Sequence, residues 1–340
     1  MTPFQPPVFD PLFRNGHLAT IMANFWPRPK LDLRWPVIDV FYPAEPGMEC
    51  GVDIWIQTQR PPEPKAEVIL AHGLEGSSES GYMLSMACAL VGDGYAVHRC
   101  NMRGCGPASQ QPRRWHRDHN YHSGQTGDLR SFARHLKSAS GLPIYLVGFS
   151  LGGNVVLKLA GELGEEGGEL LAGVCSVCAP IDLAACVRKT MEPGNIFYER
   201  RFVSRLKERV HARNPEAPDL FPMEHLPKIH TIWDFDDYYT ARIFGFGTAE
   251  NYYRTQSSNQ FLNAIRIPTL AIYAEDDPMI PSSMYELAVF DSNPYLQRIR
   301  VPHGGHLGFL ARNGPRFWLD AALLSWLSEF GNESRRERVS

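Results

Sequence analysis

The residues best suited to covalent chemistry lie in Gly148-Phe149-Ser150-Leu151-Gly152. An apolar run at 144–147 leads into this pentapeptide and a helix-favouring run at 154–163 leaves it. Between a strand and a helix, a turn this tight leaves no room for side chains at Gly148 and Gly152. It also holds the serine in a strained backbone conformation that lifts the hydroxyl clear of the sheet edge. A serine hydroxyl is a poor nucleophile until a base takes its proton, and the base needs a third group to orient it.

Both partners occur downstream, in the order acid then histidine. Ala274-Glu-Asp-Asp-Pro-Met-Ile-Pro281 follows a predicted strand, and Val301-Pro-His-Gly-Gly-His-Leu-Gly308 follows the last one. Open parallel sheets build their sites at such carboxyl ends. Glu275, Asp276 and Asp277 compete as the acid. Asp277, four residues before Pro281, stands where the family that the chain resembles places its acid and is preferred, with Asp276 as the fallback. His303 and His306 compete as the base. His306, after two glycines and before an apolar segment, is preferred, and His303 reads as loop support.

A tetrahedral intermediate needs donors for its oxyanion. The backbone N–H of Leu151, directly after the nucleophile, is one candidate. The N–H of Leu74 in His72-Gly-Leu-Glu-Gly76 is the other, with Gly73 letting that backbone turn inward. His72 reads as a residue that holds this loop. His72, Gly73, Phe149, Tyr238 and Tyr239 are the candidate substrate contacts.

Elements that position these groups follow from the patterning. Residues 1–30 are proline-rich and aromatic and read as an arm packed on the body, with His17 structural. Residues 31–42 and 52–58 alternate around a Pro/Gly turn, a hairpin signal. From Glu67 strands and helices alternate, which predicts a parallel sheet with helices on both faces. Between about 180 and 266 that rhythm stops. Helical pieces rich in Tyr, Phe and Trp replace it, including a basic amphipathic helix at 197–213. The expected organisation is an arm at 1–30, an α/β core at 31–180 and 267–335, and an inserted helical cap at 181–266.

Bulk properties narrow the function classes. The 340 residues are 44% hydrophobic and 21% charged with net charge −3. That is an ordinary globular composition, without the basic patch of a nucleic-acid binder. The opening Met1-Thr-Pro-Phe-Gln-Pro-Pro is not a signal peptide, and no apolar run is long enough to span a bilayer. The seven cysteines at 50, 88, 100, 105, 175, 178 and 186 are scattered and read as reduced core thiols of a cytoplasmic protein. Cys175-Ser-Val-Cys178 lacks a second pair and sits in an apolar run. His116, His119 and His122 lack the helical carboxylate motif of a metal site and read as a polar loop near the site mouth. No cofactor, metal or nucleotide is expected, and the chain reads as a monomer or weak oligomer.

The chain resembles the α/β-hydrolases, and within them the YheT-like hydrolases grouped with α/β-hydrolase-domain lipases and plant EMB8-like proteins. Beyond the serine turn, the stretches that carry the resemblance are Arg14-Asn-Gly-His-Leu-Ala-Thr20, His72-Gly-Leu-Glu-Gly76, Asn101-Met-Arg-Gly-Cys-Gly106 and Tyr121-His-Ser-Gly-Gln-Thr126. Phe235-Asp-Asp-Tyr-Tyr-Thr240, Gly245-Phe-Gly-Thr-Ala-Glu-Asn-Tyr-Tyr253, Ala274-Glu-Asp-Asp-Pro278 and His303-Gly-Gly-His-Leu-Gly-Phe309 complete the set. The resemblance implies an α/β-hydrolase fold, Ser150, Asp277 and His306 as a charge-relay triad, and Leu74 with Leu151 as oxyanion donors. It also implies hydrolysis of carboxylic esters, of acylglycerols or phospholipids in the eukaryotic relatives. The expected substrate here is a short-to-medium-chain or acylglycerol-type ester. An acyltransferase or thioesterase using the same triad is the alternative, although no H-x-x-x-x-D acyltransferase motif occurs. A non-catalytic lipid-binding protein is the third reading.

Overall fold

A computed structural model describes residues 4–31, 34–44, 52–106 and 117–336. Cys50 and His116 lie outside the described residues. Eight strands form one sheet, β1 (Ile38–Pro43), β2 (Asp53–Gln59), β3 (Glu67–Ala71), β4 (Ala96–Cys100), β5 (Ile144–Phe149), β6 (Gly173–Val177), β7 (Thr269–Ala274) and β8 (Leu296–Val301). Their order is β1-β2-β4-β3-β5-β6-β7-β8. The β1–β2 and β2–β4 pairs are antiparallel and the rest are parallel. The hairpin expected from residue 31 begins only at Ile38, because Pro36 has no N–H for the ladder. Every residue of β3 to β7 is buried, as expected of strands covered on both faces.

Helices α1 (Gly16–Phe25), α2 (Gly81–Gly92), α3 (Gly127–Ser140) and α4 (Leu151–Leu163) belong to the first half of the chain. Asn15 caps α1 by accepting from the Leu18 N–H at 3.0 Å. Gly141 closes α3 in the left-handed region at φ 67°. Within 181–266 the described residues form no strand. They form α5 (Leu183–Thr190), α6 (Ile196–Arg213), α7 (Ala249–Gln256) and shorter turns. α5 was not read from the sequence; its signal is Asp182, whose side chain caps it through the Ala185 N–H. This segment has a core of its own, in which Val203, Leu206, Val210, Phe221, Phe235 and Tyr252 pack together. The long final helix α8 (Trp318–Arg336) returns to the sheet, burying Trp318 and Trp326.

The sheet's centre is built around the turn from β5 into α4. Ser150 has φ 52° and ψ −121°, a region that side-chain-bearing residues rarely occupy. A Cβ on Gly148 would strike the Gly152 carbonyl, and one on Gly152 would strike the Ala71 carbonyl of β3. The turn therefore closes only with glycines at both places. Replacing Ser150 by Gly and by Ala removes the hydroxyl equally, but only Gly relieves the backbone. We expect Ser150→Gly to exceed Ser150→Ala in unfolding free energy by about 1 kcal/mol, against glycine's usual penalty. Paired denaturant titrations measure this, and equal midpoints would remove the strain argument.

Candidate active site

Five loops converge at the carboxyl edge of the sheet, following β3, β5, β6, β7 and β8. The β7 loop supplies Asp277, which is 2% exposed. One of its oxygens accepts from the Met279 and Ile280 N–H groups at 2.8 and 3.0 Å. The other lies 2.8 Å from His306 Nδ1. A carboxylate so held accepts, so Nδ1 carries the ring proton and Nε2 is left with its lone pair. Nε2 is 2.9 Å from Ser150 Oγ and faces the hydroxyl as an acceptor. The arrangement can draw a proton from Ser150 and hold the resulting imidazolium against a buried negative charge.

The alternatives of acid and base separate into two pairs. Asp276 lies 3.2 Å from His303 Nδ1 and accepts from the Gly304 and Gly305 N–H groups at 2.9 and 2.8 Å. It fixes the backbone of the histidine loop, while Asp277 fixes the ring. Glu275 is turned outward toward Arg300. Cys178, Asp277 and His306 carry ligand-type atoms within 4.8 Å, the one group among the described residues dense enough for a metal. Burial and the Asp277 charge push the Cys178 thiol well up, which keeps it protonated. Cys175 and Cys178 are both buried free thiols.

A residue overlooked in the sequence completes the histidine loop. Thr20 Oγ1 on α1 accepts from the His306 N–H at 2.8 Å and donates to the Gly16 carbonyl at 2.7 Å. α1 approaches so closely that a Cβ on Gly16 would meet the Asp276 backbone, and one on Gly305 or Gly308 would meet α1. α1 thus supports the loop that carries His306. Its signal was present in the Arg14–Thr20 stretch, but without a strand or motif to give Thr20 a role.

The loop after β3 is held from two sides. His72 is fully buried. Its Nδ1 donates to the Gly73 carbonyl at 2.8 Å and its Nε2 accepts from the Met102 N–H at 3.0 Å. Burial drives its pKa down to about 4. The Gly73 N–H donates to Tyr82 Oη at 2.9 Å. Glu75 stands at φ 56°, with Arg209 of α6 ion-paired to its carboxylate. Leu74, between these anchors, lines the same cavity as Ser150, and its N–H meets no acceptor among the described residues. Leu151 opens α4, where the first N–H groups have no intrahelical acceptor.

Two cavities meet at Ser150, Leu74, Phe202, Met279 and His306. The inner one, about 110 Å³, runs beneath α5 and α6. Leu183, Val187, Leu206, Ile232, Phe235 and Ile280 are among its apolar lining, and His122, Arg209, Asp236 and Tyr252 among its polar lining. The outer one, about 540 Å³, lies between α1, the β3 loop and α6, and Gly73 lines it.

The other expected contacts lie elsewhere. His72 spends both ring nitrogens on backbone. Phe149 is buried beneath Tyr82, ring centroids 5.0 Å apart. Tyr239 is buried and donates to the Pro222 carbonyl at 2.8 Å, and Tyr238 packs on His225. The reason is the π-helical turn Asp236–Thr240, which aims Asp236 and Thr240 at the cavity and the intervening tyrosines away. Desolvation raises the Asp236 carboxyl to about 6, opposed by hydrogen bonds from Thr240 and Tyr253.

His122 is the other cavity residue undervalued in the sequence. Its ring lies 4.7 Å from Phe244 and 5.2 Å from Phe246. Burial, with the Lys158 and Arg103 charges, drives its pKa down to about 3. A histidine depressed in the fold contributes stability above its unfolded value near 6.5, lost as pH falls toward 3. His122→Phe should therefore flatten the fall in melting temperature between about pH 6 and pH 4. An unchanged slope would place the acid sensitivity elsewhere. Thr20→Val should lower kcat about tenfold, the worth of one hydrogen bond, with KM little altered and Thr20→Ser near wild type. Loss confined to KM would count against the support role.

A family model described as the alpha/beta hydrolase fold matches residues 67–312. YheT of Escherichia coli, named as an esterase, is 32% identical over 325 residues, covering 94% of this chain and 92% of its own. A monoacylglycerol lipase of Saccharomyces cerevisiae is 30% identical over 283 residues, 80% of this chain and 61% of the lipase. Among solved structures, an esterase of Pyrococcus furiosus superposes with a TM-score of 0.57 at 14% identity, over 97% of this chain and 99% of the other, a likeness of fold. With the family model spanning strands β3 to β8 and YheT matched along nearly its whole length, the chain belongs to the α/β-hydrolases, in the YheT-like family.

Proposed function

We propose that the protein is a serine hydrolase that cleaves carboxylic esters. The observation that carries this reading is the unbroken chain from Asp277 through His306 to Ser150, with contacts of 2.8 and 2.9 Å. Ser150 Oγ attacks the acyl carbonyl as His306 Nε2 takes its proton, and Asp277 stabilises the imidazolium. The oxyanion turns toward the N–H groups of Leu74 and Leu151. The C–O bond to the alcohol then breaks, with the alcohol leaving on the proton returned by His306. Water, deprotonated by the same nitrogen, attacks the acyl-enzyme and releases the acid.

The two cavities support a division of the substrate. The narrow inner cavity suits a short-to-medium acyl chain, and the wider outer one suits a bulkier alcohol of acylglycerol type. The segment 181–266 acts as a cap over the acyl side, residues 1–30 as the arm behind the base, and 31–180 with 267–335 as the catalytic core. Among the described residues no helix is long and apolar enough to cross a membrane.

The test is a fluorophosphonate probe together with p-nitrophenyl esters of increasing chain length. Wild type should be labelled and should turn over the shorter esters, and Ser150→Ala should do neither. Asp277→Asn should lower kcat by about three to four orders of magnitude, with Asp276→Asn much milder. Labelling that survives Ser150→Ala would mean another nucleophile. Wild type inert to probe and to all esters would end the hydrolase reading.

A further inference from the structure

The outer cavity opens through a rim that is apolar where a protein surface is ordinarily polar. On α1 the inward face is small, with Gly16, Ala19 and Ala23 buried, because the helix lies against the glycines of the histidine loop. Its larger residues are left outside. Leu18, Ile21 and Phe25 are exposed, Phe25 by 72%, and their three- and four-residue spacing puts them on one stripe. Across the opening, Ile196 and Phe197 begin α6 exposed, Phe197 by 65%.

The two stripes are tied together. His17 beside Leu18 lies 3.2 Å from Tyr198 Oη and stacks on the Tyr198 ring beside Phe197. Ile21, Phe25 and Phe197 also line the cavity whose floor is Ser150. Single exposed apolar residues need no explanation, but a rim of them around a site opening does.

Charge identifies what this rim meets. Between Ile196 and Leu206 the exposed charged residues are Arg200, Arg201 and Arg205, since Glu199 is buried. Aromatic and aliphatic side chains beside a one-sign arginine cluster match the boundary of an anionic lipid surface, where rings enter the acyl region and guanidinium groups stay among the phosphates.

We propose that the rim of Leu18, Ile21, Phe25, Ile196 and Phe197, with Arg200 and Arg201, docks the protein onto an anionic lipid surface. The outer cavity then faces that surface. An ester drawn from it passes its acyl chain over Ser150 into the inner cavity while its alcohol stays in the outer one, without the apolar part crossing water. Only this last step rests on the hydrolase reading; the docking does not.

The test uses Ser150→Ala protein and vesicles of phosphatidylcholine with or without phosphatidylglycerol, so that binding is read whether or not the protein is an esterase. Sedimentation should show binding to the phosphatidylglycerol vesicles, weakened by salt. Leu18→Ser/Ile196→Ser should weaken it about tenfold. Arg200→Gln/Arg201→Gln should remove the preference for phosphatidylglycerol. A tryptophan placed by Phe197→Trp should shift its emission to the blue on these vesicles. In otherwise wild-type protein, Leu18→Ser/Ile196→Ser should leave turnover of a soluble short-chain ester unchanged and lower turnover of the same acyl group in vesicles. The proposal is overturned by absent vesicle binding, by Leu18→Ser/Ile196→Ser binding as tightly as its parent, or by a dimer in light scattering that this pair dissociates.

Discussion

The structure depends on a backbone conformation that side-chain-bearing residues rarely adopt. Ser150 sits at positive φ because Gly148 and Gly152 let β5 turn into α4 within van der Waals reach of β3. That contact sets the height of the hydroxyl above the sheet and the angle at which α4 leaves. It also sets the place where the Leu151 N–H points free of the helix. Anything else that meets the serine has to meet it there. The other loops are built as supports that deliver groups to that fixed point.

Those supports divide by chemistry. Asp277 and Asp276 are adjacent, yet one orients a ring and the other a backbone, because consecutive side chains after a strand diverge. The β3 loop is pinned from below by His72 and Tyr82 and from above by Arg209. An ion pair that is mostly out of water gains its strength only if both partners stay in register. The strained Glu75 is therefore tied to the helical segment above it. The inner cavity is lined by apolar side chains and by polar groups that are partly committed to internal bonds.

Much of this was legible in the sequence, and the reasons are specific. The serine turn, the strand ends and the order of acid and histidine are local patterns. Parallel strands then bring their carboxyl ends together by necessity. Asp277 was preferred to Asp276 on the family's spacing to Pro281, and it is the carboxylate that lies on the His306 ring. What the sequence hid were contacts made by residues with no periodic or motif signature. Thr20 is one hydroxyl on a short helix, and Glu75 with Arg209 is a pairing across more than a hundred residues. The assignment of Tyr238 and Tyr239 failed because a π-turn changes which residues of a helical piece face inward, and composition carries no trace of that register.

The bond from Thr20 to the His306 backbone joins positions 286 residues apart. During synthesis the segment bearing Thr20 leaves the ribosome long before its partner. A growing chain that has already made β5 and its turn carries Ser150 but neither Asp277 nor His306. The Ser150 hydroxyl therefore has no imidazole held beside it until the segment bearing Thr20 and the loop after β8 have found each other. The complete arrangement of Asp277, His306 and Ser150 thus reports that segments 286 residues apart have closed on each other.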